Sequence, residues 1–338
     1  MKHDGAYDCI RLLAAAMVLL SHSYVLAGDA GAEPLVRLTG GAHDLGEIAV
    51  NLFFAMSGYL VALSWQRDPD FRRFLLRRAL RIVPGLAAVA LGSVLVVGPI
   101  FTSLDLASYF AAPRTWLYLT KITAMPALHG LPGVFDATPY PSVVNGSLWS
   151  LRLEVLCYLG LSLLGLLAWK RATPLVVAAI ALLLAADFAA SLPRFGLPVQ
   201  VLSQAQTYLF DAMIFLLGIL AARIGLPTRP LRLGLPALAA TLALMWWPEA
   251  RAPFAIALGL AAIGCGAGLR CSVKSFGDWS YGLYLWAFPV QQMTISLWPG
   301  LTPLGLFARA LPATLLLAAL SWHLIESRAL AFKPRRER

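Results

Sequence analysis

Residues 7–26 read YDCIRLLAAAMVLLSHSYVL, and Asp8, Arg11 and His22 are their only acidic or basic side chains. At about 1.5 Å of rise per residue, twenty such residues extend for about 30 Å, the thickness of a bilayer's hydrocarbon core. The stretch reads as a membrane-crossing helix. The alternative is a signal peptide, with Leu12–Leu20 as its apolar core and Val25-Leu26-Ala27 as its cleavage site. We reject it, because Arg11 and His22 are costly inside an apolar segment and cleavage would discard both.

Nine further runs resemble this one, starting near Gly46, Ile82, Gly146, Pro174, Ser203, Leu233, Pro253, Trp279 and Pro303. Backbone polar groups in lipid must be satisfied within their own segment, so each run is expected to be helical. The predicted fold is an all-α, polytopic integral membrane helix bundle of about ten transmembrane helices. Composition agrees, with 59% hydrophobic and 13% charged residues among 338; a soluble domain carries roughly a quarter charged residues. Residues 1–338 form a single transmembrane domain, with no repeat, no low-complexity linker and no appended soluble domain.

The formal net charge of +10 would suit a nucleic-acid partner, but its distribution excludes one. Basic residues fall in alternate loops, as the positive-inside rule requires. With the N-terminus inside, the cytoplasmic side receives Arg67, Arg72, Arg73, Arg77, Arg78, Arg81, Lys170, Arg171, Arg223, Arg229, Arg232, Arg270, Lys274 and the tail from Arg328. Only Arg37, Arg114, Lys121, Arg194 and Arg251 face outward. Both termini are therefore expected to be cytoplasmic, and the membrane is the partner. The cysteines Cys9, Cys157, Cys265 and Cys271 follow no metal-ligand spacing and suggest neither a zinc site nor a disulfide framework; they read as small buried hydrophobes.

Chemistry in such a chain belongs in the bundle or at its mouths. Arg11 and His22 lie on roughly one helical face, about 16 Å apart along the axis, which sets Arg11 near the cytoplasmic boundary and His22 in the outer half of the membrane. The fourth run enters from outside as Ser147-Leu148-Trp149-Ser150-Leu151-Arg152-Leu153-Glu154, which puts Glu154 at a depth similar to that of His22. A carboxylate beside an imidazole in low dielectric raises its basicity and suits it to take a proton from a hydroxyl. Glu154 has another available partner in Arg152. Arg77, Arg78 and Arg81 share a helical face. They read either as an anchor at anionic lipid or as a phosphate site, for which guanidinium forks are suited. Ser57 and Gly58, in Asn51-Leu52-Phe53-Phe54-Ala55-Met56-Ser57-Gly58-Tyr59-Leu60, read first as helix packing. The outer loop from Thr102 to Asn145, with Trp116, Tyr118, Lys121, His129 and Asp136, is either an interfacial segment with aromatic anchors or an acceptor-binding lid.

Taken together, these blocks resemble the acyltransferase-3 family of membrane O-acyltransferases: the Arg11 and His22 pair, "NLFFAMSGYL", "RRALRIVP", "SLWSLRLE", "SYGLYLW" and "HLIES", in order along nearly the whole chain. The resemblance implies transfer of an acyl group, commonly acetyl, from cytoplasmic acyl-CoA to a sugar or lipid-linked glycan on the far side of a bacterial inner membrane. By it, His22 and Arg11 are essential, Arg78 and Arg81 lie on the donor side, and Glu154 is the acidic partner of His22. Arg77 joins the donor group, and Ser57, Trp149 and Arg152 stand on the substrate side. Acyl-CoA is a donor substrate, and no permanently bound cofactor or metal is expected. Asn51 stands where relatives often have Asp, and Arg152 where a neutral residue is more usual. An acyl intermediate on His22 or Ser57 stays open, and the rival reading is a secondary transporter or glycan flippase.

Overall fold

A computed structural model describes residues 6–123, 130–190, 199–247, 250–273 and 277–334. Each of the ten runs carries a long helix: α1 (Tyr7–Leu26), α2 (Leu45–Arg67), α3 (Phe71–Gly92), α4 (Trp149–Ala168), α5 (Ala172–Ala190), α6 (Val199–Arg223), α7 (Pro230–Leu244), α8 (Arg251–Gly268), α9 (Ser280–Leu297) and α10 (Pro303–Ser321). No strand forms among the described residues, and the single bridge pairs Thr102 with Val134. Among the described residues, six helical stretches are long and apolar enough to cross a membrane: Tyr7–Leu26, Leu45–Arg67, Phe71–Phe101, Gly146–Ala186, Arg251–Gly268 and Pro303–Ala331. The chain is thus an all-helical, multi-pass membrane protein. α7 has only 15 residues, and α6 and α9 carry polar residues such as Asp211, Gln291 and Gln292.

α3 begins at Phe71, not near Ile82 as expected. Arginine is a good helix former, so the basic run is the first part of the helix itself. Asp70 starts it by accepting from the backbone N–H of Arg73 at 2.7 Å, and Asp68 holds the Arg73 guanidinium at 2.8 Å. Beyond Gly92 the helix widens through a π turn, Ser93–Val97, and continues to Phe101.

The chain gathers into two compact units. The first comprises Met1–Arg11, Val50–Leu75 and Leu153–Ser272. Within it, α2 and α6 approach backbone to backbone. A Cβ on Gly58 would lie 2.0 Å from the Phe215 carbonyl oxygen, so only glycine fits there. α7 and α8 meet as closely at Gly234 and Gly264. The N-terminal segment is fastened twice, by a hydrogen bond from the Tyr7 hydroxyl to the Ile263 carbonyl at 3.0 Å and by a disulfide between Cys9 and Cys271. The expectation that no disulfide forms is therefore corrected. The two cysteines are 262 residues apart, and nothing in local spacing announces a pair that only helix packing brings together. Cys157 and Cys265 stay free.

The second unit comprises Leu12–Ala49, Leu76–Arg152 and Val273–Arg338. α9 packs on α10, where Gly282 meets the backbone of Ala318. The described residues of the segment from Thr102 to Asn145, 102–123 and 130–145, are not an open loop. They fold into short helical turns around buried Tyr109, Tyr118, Leu131, Val134, Phe135 and Val144, and the Tyr109 hydroxyl donates to the Val94 carbonyl at 2.9 Å. Lys121 is buried in this segment, 4.7 Å from the centre of the Tyr118 ring. Burial pulls its ammonium down from the ordinary lysine value to about 8. His129 lies outside the described residues.

Candidate functional site

Three groups of polar side chains stand out, two in the second unit and one in the first. His22 belongs to the second unit, one turn from the end of α1. Its Nδ1 is 3.5 Å from the Ser147 hydroxyl, and the imidazole meets the Phe288 ring edge-on at 5.3 Å between centroids. Ser147 is itself fixed. The Asn145 side chain accepts from its N–H at 3.3 Å and donates to the Leu285 carbonyl at 2.9 Å, while the Tyr284 hydroxyl donates to the Ser147 carbonyl at 2.7 Å. Beside the histidine, Gln291 donates to the Leu19 carbonyl at 2.8 Å and to the Ser23 hydroxyl at 2.7 Å, pinning α1 to α9. Within its unit, then, the imidazole is oriented by a hydroxyl. Its Nε2 makes no hydrogen bond among the described residues, which leaves that nitrogen available to a ligand.

The second group gathers near the start of α3 and the end of α10. Arg81 donates to Asp278 at 2.7 Å, lies 3.8 Å from Glu326 and stacks over the Tyr281 ring at 5.2 Å. Both carboxylates are held in turn, Asp278 by the Ser280 hydroxyl at 2.6 Å and Glu326 by the Ser321 hydroxyl at 2.7 Å. Arg77 and Arg78 are half-buried on the same helix. Lys333 lies within electrostatic range of all three arginines, and its ammonium is lowered from the ordinary lysine range, first by burial and then by Arg78, Arg81 and Arg77. Four cations and two carboxylates leave a positive excess, an environment that attracts phosphate. Asp278, Glu326 and Lys333 were not singled out in the sequence. The HLIES block and the basic tail were visible there, but the carboxylates acquire a role only through packing with α3.

The third group lies in the first unit on α2 and α4. Oε1 of Glu154 accepts from the Ser57 hydroxyl at 3.1 Å and from the Tyr158 hydroxyl, and those two hydroxyl oxygens are 2.9 Å apart. Ser57 and Tyr158 are both buried. The Cys157 thiol is within electrostatic range of Glu154 and of Asp211 on α6, a second buried acid that the sequence reading did not single out. Arg152 is exposed and makes no ion pair among the described residues. Trp149, half-buried, is the first residue of α4. Arg11, in the first unit, is 3.9 Å from Asp8.

Comparison with known proteins identifies the family. A family model described as an acyltransferase domain matches residues 4–323. The chain is similar to an O-acetyl transferase of Shigella phage Sf6, 29% identical over 98% of this chain and 97% of the relative. It is also similar to nodulation protein 10 of Rhizobium leguminosarum bv. viciae, 31% identical over 98% of this chain and 94% of the relative. No solved structure matches.

Proposed function

Because the chain belongs to the acyltransferase-3 family, whose chemistry is acyl transfer, we propose that it moves an acetyl group from cytoplasmic acyl-CoA to a hydroxyl of an extracytoplasmic or lipid-linked glycan. The proposed setting is a bacterial inner membrane, with both termini cytoplasmic. The observation that carries the reading is His22: an imidazole fixed through Nδ1 by Ser147, with Nε2 left to act on a substrate.

In this mechanism the nucleotide phosphates of the donor bind at Arg77, Arg78 and Lys333, beside an Arg81 already held by Asp278 and Glu326. The pantetheine arm brings the thioester to His22, and Arg11, on the same helix about three turns nearer its N-terminus, is kept on the donor side. The acceptor hydroxyl gives its proton to Nε2 as its oxygen bonds to the thioester carbonyl carbon. The carbon–sulfur bond then breaks, and the imidazolium returns the proton to the departing sulfur. An ester and free CoA result, and the histidine is regenerated. Glu154 is proposed as the acid that acts in turnover, within its own unit. Ser57 and Tyr158 hold its carboxylate in one orientation, and Trp149 and Arg152 border the acceptor. No permanently bound cofactor or metal takes part.

The test is CoA release from acetyl-CoA by the purified protein, with transfer of radiolabel to envelope glycan in membrane vesicles. His22→Ala is expected to lower transfer by about 10³-fold or more, as loss of a general base does, while inserting normally. Wild-type transfer by a well-inserted variant would remove His22 from the mechanism. Glycan movement across the membrane with no CoA released would favour a flippase.

A further inference from the structure

One buried polar residue in the first unit has no packing role among the described residues. Asn51, on α2, is 1% exposed, and among the described residues neither its Oδ1 nor its Nδ2 has a hydrogen-bond partner. An asparagine inside a membrane helix ordinarily bonds to a neighbouring helix and so contributes to packing. This one bonds to no described residue. It lies on the same helical stripe as Ala55 and Gly58, four and seven residues on, and the close approach of Gly58 to the Phe215 carbonyl sets that stripe against α6. The packing needs small residues there, not an amide. Less than two turns further along α2, Ser57 is fully engaged with Glu154 and Tyr158, so one helix carries a satisfied polar group and an orphaned one. Burying a donor and an acceptor unmade is costly, and a fold keeps such a residue where a ligand completes it.

We propose that Asn51 is a ligand-binding residue whose carboxamide takes a neutral group presenting a donor and an acceptor together, accepting from its N–H or O–H and donating to its oxygen. Under the acyl-transfer reading, on which this identification rests, two sources offer that chemistry: a secondary amide of the donor's pantetheine arm, or a hydroxyl of the glycan acceptor. Both are uncharged, as suits an asparagine where a carboxylate would favour a cation.

The experiment compares Asn51→Leu, nearly isosteric and without polar atoms, with the unaltered full chain in detergent and in membrane vesicles. Ligand-free Tm is expected to stay the same or rise by about 2 °C, because removing an unsatisfied polar group relieves its burial. Transfer from radiolabelled acetyl-CoA is expected to fall roughly three- to tenfold, the value of one or two neutral hydrogen bonds. A raised KM for acetyl-CoA assigns the contact to the donor arm, and a lowered maximal rate at unchanged donor KM assigns it to the acceptor. Asn51→Ala repeats the comparison if leucine is too large for the stripe. A fall in Tm in both variants would make Asn51 a structural residue and overturn the proposal, as would unchanged transfer. If the unaltered chain neither consumes nor transfers from acetyl-CoA, the acyl-transfer reading fails, and the Tm comparison alone decides whether Asn51 is structural.

Discussion

Arg81 and Glu154 are each a charge on a membrane helix, and the protein holds them in opposite ways. Arg81 has two carboxylates and an aromatic face around it, so its charge is compensated and its position fixed before any ligand arrives. Glu154 is held by two hydroxyls, both on one of its oxygens, and its described partners include no cation. A compensated cation suits a binding site, where geometry matters and charge need not change. A carboxylate steadied only by neutral donors keeps its field available for a cation that appears during reaction. Under the proposed function, the contrast fits binding at the arginine cluster and turnover at Glu154.

Among changes at these two regions, the largest effect should come from Glu154→Gln. The change keeps size and hydrogen-bonding capacity but removes the charge, and its loss is expected in kcat, by about 10²-fold, with little change in the KM of either substrate. A steady-state comparison in membrane vesicles checks this. Because Arg152 is exposed and unpaired among the described residues, the double change Glu154→Gln with Arg152→Gln should recover nothing. Recovered turnover would mean that Glu154 only neutralises Arg152, and the contrast would collapse.

A smaller effect, of the opposite kind, is expected from Glu326→Gln. One of the two carboxylates on Arg81 would become neutral, and the guanidinium would be less firmly placed. Donor KM should then rise about fivefold at nearly constant kcat, since Glu326 meets Arg81 as an ion pair at 3.8 Å and not as a hydrogen bond, and a partly exposed pair contributes roughly 1 kcal/mol. A fall in kcat alone would move Glu326 into the chemistry.

How far this contrast could be read from the chain depends on the range of the interaction. The helices were legible because an apolar run near 20 residues has one way to satisfy its backbone in lipid, and the starts fall on helices or, as at Trp279, beside one, six of the described helical stretches being long and apolar enough to cross a membrane. The start of α3 was not, because arginines at a helix end look the same in the chain as arginines in a loop. His22 and Glu154 were found as polar groups placed where burial is expensive, and Arg81 as part of an arginine cluster on one helical face. What holds them was not: Asp278 is 197 residues from Arg81, Ser147 is 125 from His22 and Tyr158 is 101 from Ser57. The Cys9–Cys271 pair was missed for the same reason, since side chains that meet only through packing leave no period or spacing behind them.

The smallest effect sharpens the binding half of the comparison through pH. Lys333 sits among Arg77, Arg78 and Arg81, and burial together with those like charges holds its ammonium below the ordinary lysine value. As pH rises it therefore loses its proton earlier than an exposed lysine would, and the arginines beside it do not. If Lys333 binds donor phosphate while charged, the KM for acetyl-CoA should climb by a few fold on the alkaline side, starting below the pH at which an ordinary lysine titrates, about 10.4. Lys333→Arg keeps the charge throughout and should flatten that climb. Lys333→Met should hold KM at its raised value at every pH, with kcat unchanged in both variants. A climb that persists in the arginine variant would assign the titration to another group and return Lys333 to the role of an anchor at anionic lipid.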